Sequence, residues 1–263
     1  MRKLIEFSCA GETLIGTLDE AAEAVGLLIV SGGNEVRIGA HRGMALLAER
    51  LARADYPVLR FDRRGVGDSG GKNNGFESSA EDIAAAARAF RATGVERIIA
   101  FGNCDAATAL AFFHAAAGVD ALILANPWLI ETSDDLPPAA AIRAHYAERL
   151  RNPREWLRLL RGGVNIRMLF SGLLKIFRKS SQQPHGLPVR LAKALAEAQV
   201  PVTILLATGD NTGIAFADAW RGTDFDAARA RIAVEELDSA SHSFASAADK
   251  DWLFERVRNA LET

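Results

Sequence analysis

Cysteine is scarce: Cys9 and Cys104 are the only two in 263 residues, and neither belongs to a CxxC pair or lies near clustered histidines. A disulfide framework and a zinc site are both excluded on that ground, and no cofactor is implied. Long apolar runs are missing as well. Stretches such as Val25 to Val30 fall far short of the roughly 18 residues that a membrane-spanning helix needs. The opening MRKLIEFSCAGETL reaches Glu6, Ser8 and Gly11 before an apolar stretch forms, so a secretory signal is not expected and a cytoplasmic location is the default. Neither sign of charge is in excess: 31 Lys and Arg stand against 33 Asp and Glu, a formal net charge of -2. There is no repeat at a fixed period. What remains, with 49% hydrophobic and 24% charged residues, is ordinary globular composition.

Apolar runs of about six residues rich in Val, Ile and Leu recur with helical segments between them, the pattern of a mostly parallel sheet with helices on both faces. The fold class is α/β. Strands are expected near Leu4 to Phe7, Leu14 to Leu18, Gly26 to Ser31, Pro57 to Phe61, Ile98 to Phe101, Ala121 to Ala125, Val202 to Ala207 and Ile232 to Leu237. The first two, separated by Gly11, form an amphipathic hairpin at a sheet edge. Helices are expected over His41 to Ala54, Ser79 to Thr93, Asp105 to Ala117 and Ser246 to Leu261, with Ser79 and Asp82 approximating a capping pair.

From Glu131 to Ala198 the alternation stops and the composition changes. Between Ala140 and Lys193 stand twelve Arg or Lys and only two Glu. Helical spacing in Tyr146, Leu150, Trp156, Leu157 and Leu160, and again in Met168, Leu169, Leu173 and Ile176, reads as a helical cap inserted into the body. The expected organisation is therefore a core of residues 1–130 and 199–263 and a cap of residues 131–198. The cap is basic and the body acidic.

After Arg97 a short buried-looking strand runs directly into Gly102, Asn103, Cys104, Asp105 and Ala106 and then an Ala-rich helix. This is G-x-C-x-A, the thiol form of the nucleophile elbow G-x-S-x-G. Small residues two before and two after the nucleophile are needed because the strand-to-helix turn is tight. Cys104 would sit at its tip, by a helix N-terminus that favours thiolate. The plainer reading is an inert buried cysteine. Chain order favours function, since the partners should follow as acid and then histidine. Asp210 follows the strand Val202 to Ala207, and His242 follows the last strand. Of His41, His114, His145, His185 and His242, only the last lies on that loop. His242 would serve as general base and acid, with Asp210 fixing its tautomer. A solvated loop histidine, a helix N-cap at Asp210, or Asp134 and Asp135 as substitute acids stay open.

Backbone donors for an oxyanion are expected from the amide of Asp105 and from Gly33 or Asn34, in the loop Gly32, Gly33, Asn34; a plain tight turn is the alternative for the Gly pair. Two other motifs compete. Gly65 to Gly70 fits the dinucleotide fingerprint G-x-G-x-x-G, but Gly71 to Gly75 continue the loop where a helix should open. Asp105 as an aspartyl nucleophile would put Asn103 where the elbow needs a small residue. The basic cap reads as solvated arginines on amphipathic helices, or as a surface for anionic lipid or an anionic substrate such as a phosphorylated or acidic-sugar carrier. Nucleic acid is not expected, because the body is acidic and no recognition module appears. Nothing in the sequence sets an oligomeric state.

The segments DRRGVGDSGG (Asp62 to Gly71), GNCDAA (Gly102 to Ala107), ATGDNT (Ala207 to Thr212) and ASHSF (Ala240 to Phe244) resemble the α/β-hydrolase superfamily. More narrowly, SGGNEVRIGAHR, GNCDAA, NPW (Asn126 to Trp128) and HYAERLRNPREWLRLL resemble the exosortase-A-system-associated hydrolases of type 1 across nearly the whole chain. The resemblance implies an esterase- or acyltransferase-like fold, bacteria that make exopolysaccharide and sort PEP-CTERM proteins, and triad roles for Cys104, Asp210 and His242. Cys for Ser, and Ala106 for the second Gly, depart from the wider superfamily and argue against simple lipase chemistry. The expected activity is acyl transfer through an acyl-thioester to water or another acceptor, on a small-molecule ester, thioester or lactone. An acyltransferase acting on a polysaccharide or lipid-linked precursor, and a ligand-binding protein without turnover, are the competing readings.

Overall fold

The computed structural model describes residues 1–130 and 186–263. Eight strands form one sheet: β1 (Arg2–Cys9), β2 (Glu12–Asp19), β3 (Val25–Val30), β4 (Val58–Phe61), β5 (Arg97–Asn103), β6 (Ala121–Ala125), β7 (Val202–Ala207) and β8 (Ala233–Leu237). Their order is β1-β2-β4-β3-β5-β6-β7-β8. β1 pairs antiparallel with β2 and β2 with β4, and every other neighbouring pair is parallel. The helices that position the site are α1 (Gly43–Arg53), α2 (Ala80–Arg91), α3 (Asp105–Ala117), α4 (Leu187–Glu197), α5 (Asn211–Trp220) and α6 (Ala247–Glu262).

The central strands read as unbroken apolar runs because both of their faces are covered. Successive side chains point to opposite faces, so β3 divides its residues between two cores. Leu28 and Val30 pack with Ile98, Ala100, Ile83, Phe90 and Leu110, on the side of α2 and α3. Leu27 and Ile29 pack with Ile99, Phe101, Leu47, Leu51, Val257 and Leu261, on the side of α1 and α6. Gly26 belongs to the first face, where a Cβ would lie 2.5 Å from the Phe90 ring. Each fully buried Leu or Ile contributes about 1.5–3 kcal/mol from removal of its surface from water.

All eight expected strands are present, and the β1–β2 hairpin closes through Ala10 (φ 51°) and Gly11 (φ 85°), the left-handed pair that a two-residue turn requires. The capping pair expected at Ser79 does not form. Its hydroxyl donates instead to the Phe76 carbonyl at 2.5 Å, and Asp82 is taken by Arg64 and Cys9. Most of the segment expected to form a cap, residues 131–185, lies outside the described residues. Its last part is α4, which buries Leu187, Leu191 and Leu195 at helical spacing. Leu191 and Leu195 join the same core cluster as Leu110 of α3, so this helix packs on the body.

β3 lies between β4, which follows it in sequence, and β5. The chain therefore leaves the carboxyl ends of β3 and β5 in opposite directions. Such a switch point opens a crevice at the strand ends, where open α/β sheets bind ligands. The Gly32–Gly33 loop follows β3, and Cys104 follows β5.

Candidate active site

Cys104 occupies φ 61°, ψ −127°, a backbone conformation that a non-glycine residue adopts at a cost of about 1–3 kcal/mol. The surrounding hydrogen bonds hold it there. Its N–H donates to the Ala125 carbonyl at 3.0 Å, and its carbonyl accepts from the N–H groups of Ala107 (3.1 Å) and Trp128 (3.2 Å). The two small residues of G-x-C-x-A have separate steric reasons. A Cβ on Gly102 would lie 2.8 Å from the Ala106 backbone, and Ala106 itself is fully buried against the turn. The Cys104 side chain is half-buried at the tip.

His242 comes to the same rim from the loop after β8. Its Nδ1 lies 2.9 Å from Asp210 Oδ2. That oxygen also accepts the Gly213 N–H at 3.1 Å, so Asp210 caps α5 and contacts the imidazole at once. Asp210 is buried, whereas the ring is partly exposed. The imidazole is pushed up to about 10, first by its hydrogen bond to Asp210 and then by the Cys104 sulfur, against an opposing desolvation that outweighs the separate charge effect of either partner. Asp134 and Asp135 lie outside the described residues.

Two asparagines that the sequence reading did not single out join these loops. Asn126, fully buried at the end of β6 with φ 41°, accepts the Ala207 N–H at 2.9 Å. Its amide donates to Asn103 Oδ1 (3.2 Å) and to the His242 carbonyl (3.4 Å), and Asn103 donates to the same carbonyl at 3.0 Å. The ends of β5, β6 and β7 are thereby tied to the histidine loop. The available signal was position: a polar residue ending the apolar run ALILA, at the carboxyl edge where catalytic groups gather.

The loop residues expected to supply oxyanion donors, Gly33 and Asn34, lie beside the elbow and the Asn73 loop respectively. The Gly33 N–H points at the elbow and donates to Asp105 Oδ1 at 2.7 Å. The Asn34 side chain accepts from Asn73 Nδ2 at 2.8 Å. The amide of Asp105 is the first of α3, with no helical carbonyl before it to accept. Nearby, burial raises the Glu35 carboxyl above its ordinary range, although Oε1 accepts the Ala40 N–H at 2.5 Å. Gly65 to Gly70 form a closed loop around buried Asp62, which receives the N–H groups of Arg37 and Asp68, so the third glycine opens no helix. Among the described residues, no group of three or more His, Cys, Asp or Glu is arranged to hold a metal ion, and no helix is long and apolar enough to cross a membrane.

Comparisons with known proteins agree with this architecture. No curated protein matches the sequence. Among solved structures, an esterase of Pyrococcus furiosus superposes with a TM-score of 0.68 at 16% identity, covering 100% of this chain and 90% of that one. The thioesterase domain from the curacin biosynthetic pathway gives 0.61 at 15% identity, covering 98% and 99% of the two chains. An esterase from Rhodococcus sp. ECU1013 gives 0.59 at 16% identity, covering 99% and 98%. At these identities the likeness is one of fold. The sequence itself matches the family profile over residues 27–255, which takes in the β3 loop, the elbow, Asp210 and His242, and so the chain belongs to the alpha/beta hydrolase family.

Proposed function

We propose that the protein is a hydrolase that uses Cys104, His242 and Asp210 to pass an acyl group through a thioester on the Cys104 sulfur. The observation that carries this reading is the His242–Asp210 contact of 2.9 Å, on a ring whose pKa the Cys104 sulfur, from a turn held at φ 61°, also helps to raise. The thiolate attacks the substrate carbonyl carbon, forming a C–S bond and an oxyanion. Collapse expels the alcohol or thiol, which takes a proton from the His242 imidazolium. The neutral ring then removes a proton from water as the water attacks the acyl-thioester. The second collapse expels the Cys104 thiolate and releases the acid, leaving the imidazolium for the next cycle. The amide of Asp105 and that of Gly33 would stabilise the oxyanion.

A thiolate attacks well and also leaves well, so thioesters, activated esters and lactones fit better than amides. The resemblance to exosortase-associated hydrolases and the basic composition of residues 140–193 favour one second reading, an acyltransferase in exopolysaccharide-producing bacteria with an anionic or lipid-linked acceptor. The cytoplasm is the proposed location. Hydrolysis of a thioester and a p-nitrophenyl ester by wild type, Cys104→Ala and His242→Ala tests the main reading. It expects turnover only in wild type, with free acid as the product. Excess alcohol that diverts acid into a new ester would identify the transferase. Tight ligand binding with no turnover would show a binding protein and refute both.

A further inference from the structure

Asp105 is expected to act through its backbone, but its side chain sits on the other donor. Oδ1 accepts the Gly33 N–H at 2.7 Å, within the range of about 2.7–3.1 Å at which a reacting oxyanion would stand from its donors. The site is shaped to admit it. A Cβ on Gly32 would lie 2.6 Å from that oxygen, so only glycine at this position leaves room for the carboxylate.

Beside it lies a second seat. Arg63 has 4% of its side chain exposed, and its Nη2 donates to the Gly33 carbonyl at 2.6 Å. Its Nη1 is buried with no hydrogen-bond partner among the described residues. The distance from Nη2 to Asp105 Oδ2 is 3.9 Å, too long for a hydrogen bond. A buried guanidinium with an idle N–H is costly, and a carboxylate is the partner whose geometry its fork matches. A rotation of the Asp105 side chain toward Arg63 would bring its carboxylate onto the guanidinium, 3.9 Å away at Nη2, and free the Gly33 amide in one movement.

We propose that Asp105 is a positioning residue with two seats: in the resting enzyme its carboxylate occupies the oxyanion site on Gly33, and it must swing to Arg63 before Cys104 can be acylated. The inference rests on the proposed role of Cys104 as nucleophile. It assigns the Asp side chain at the first position of α3 a control over the donor that its own backbone is meant to assist.

Single-turnover acylation of Cys104 by a p-nitrophenyl ester, followed by stopped flow and adduct mass, tests it together with the amide resonance of Gly33 in glycine-labelled protein. Asp105→Ala should acylate about 10-fold faster or more, within the hundred- to thousand-fold that one oxyanion donor is worth. Asp105→Asn should accelerate less. In both variants the Gly33 amide proton should move upfield as it loses a charged acceptor. Arg63→Lys should slow acylation in the wild-type background, yet leave Asp105→Ala unchanged within about twofold, the coupling expected of two seats for one group. Acylation at or below the wild-type rate in Asp105→Ala, or an unmoved Gly33 amide, would overturn the proposal while leaving Cys104 as nucleophile. No Cys104 adduct in any of these proteins would overturn the proposed function, and this inference with it.

Discussion

The two cysteines lie at the ends of two strands of one sheet, and their surroundings could hardly differ more. Cys9 closes β1 at the hairpin edge, buried, with its thiol 3.3 Å from Asp82 Oδ1 and pushed up to about 11, chiefly by burial and then by that carboxylate. Cys104 follows β5 at the switch point, half-buried on a left-handed turn beside a raised imidazole. Cys9 has a carboxylate as neighbour, which disfavours thiolate; Cys104 has instead the loop that carries the His242 imidazole. One residue type thus stands in two different chemical settings. At the elbow the packing is tight enough that a methyl group on Gly102 has no space.

The largest effect should come from exchanging the thiols. Cys104→Ala should lower kcat for a thioester by about ten-thousand-fold or more, as loss of a nucleophile does elsewhere, while Cys9→Ala should leave kcat within about twofold. Steady-state kinetics of the two variants check this, and equal losses would break the comparison.

Asp210→Asn should follow, with kcat reduced by about a hundred- to ten-thousand-fold. The same variant should carry the His242 titration from about 10 down toward its ordinary 6.5, since the Asp210 hydrogen bond is the first cause of the shift. The sign is fixed by linkage. A raised imidazole stabilises the fold fully below about 6.5, and that contribution is lost as pH rises through about 10. Wild-type kcat/KM should therefore hold through neutral pH and decline toward pH 10 as the imidazolium is lost. Histidine NMR and a pH profile measure both.

Asn126→Ala sharpens the comparison at the next level. It leaves the Ala207 N–H without its acceptor and loosens the His242 carbonyl, so it should cost about 1–3 kcal/mol by chemical denaturation. It should also lower kcat about tenfold or more through misplacement of the ring, with KM changed less. The smallest effect is on stability at the edge: Cys9→Ala should cost about 1 kcal/mol, because Asp82 keeps Arg64 as its partner.

Much of the frame could be read from the sequence because a parallel strand buried on both faces leaves an unmistakable run, as in VGLLIV and ALILA. Cys104, Asp210 and His242 could be proposed from chain order because each ends or follows such a run. The helix after Asp210 was harder, since NTGIAFADAW carries Gly and Asn near its start; only its N-cap aspartate announced it. The Ser79 pair misled because its carboxylate had a better partner in Arg64. The Asn126 network and the Asp105–Gly33 bond join residues up to 139 positions apart, and no local spacing encodes such pairings.

Peptide mapping after millisecond quench during turnover of a thioester tests the central claim most directly. The account predicts a transient acyl group on the Cys104 sulfur, formed and lost at rates compatible with kcat, with Cys9 unmodified throughout. Product formation with no acyl group ever found on Cys104, or acylation of both cysteines alike, would contradict it.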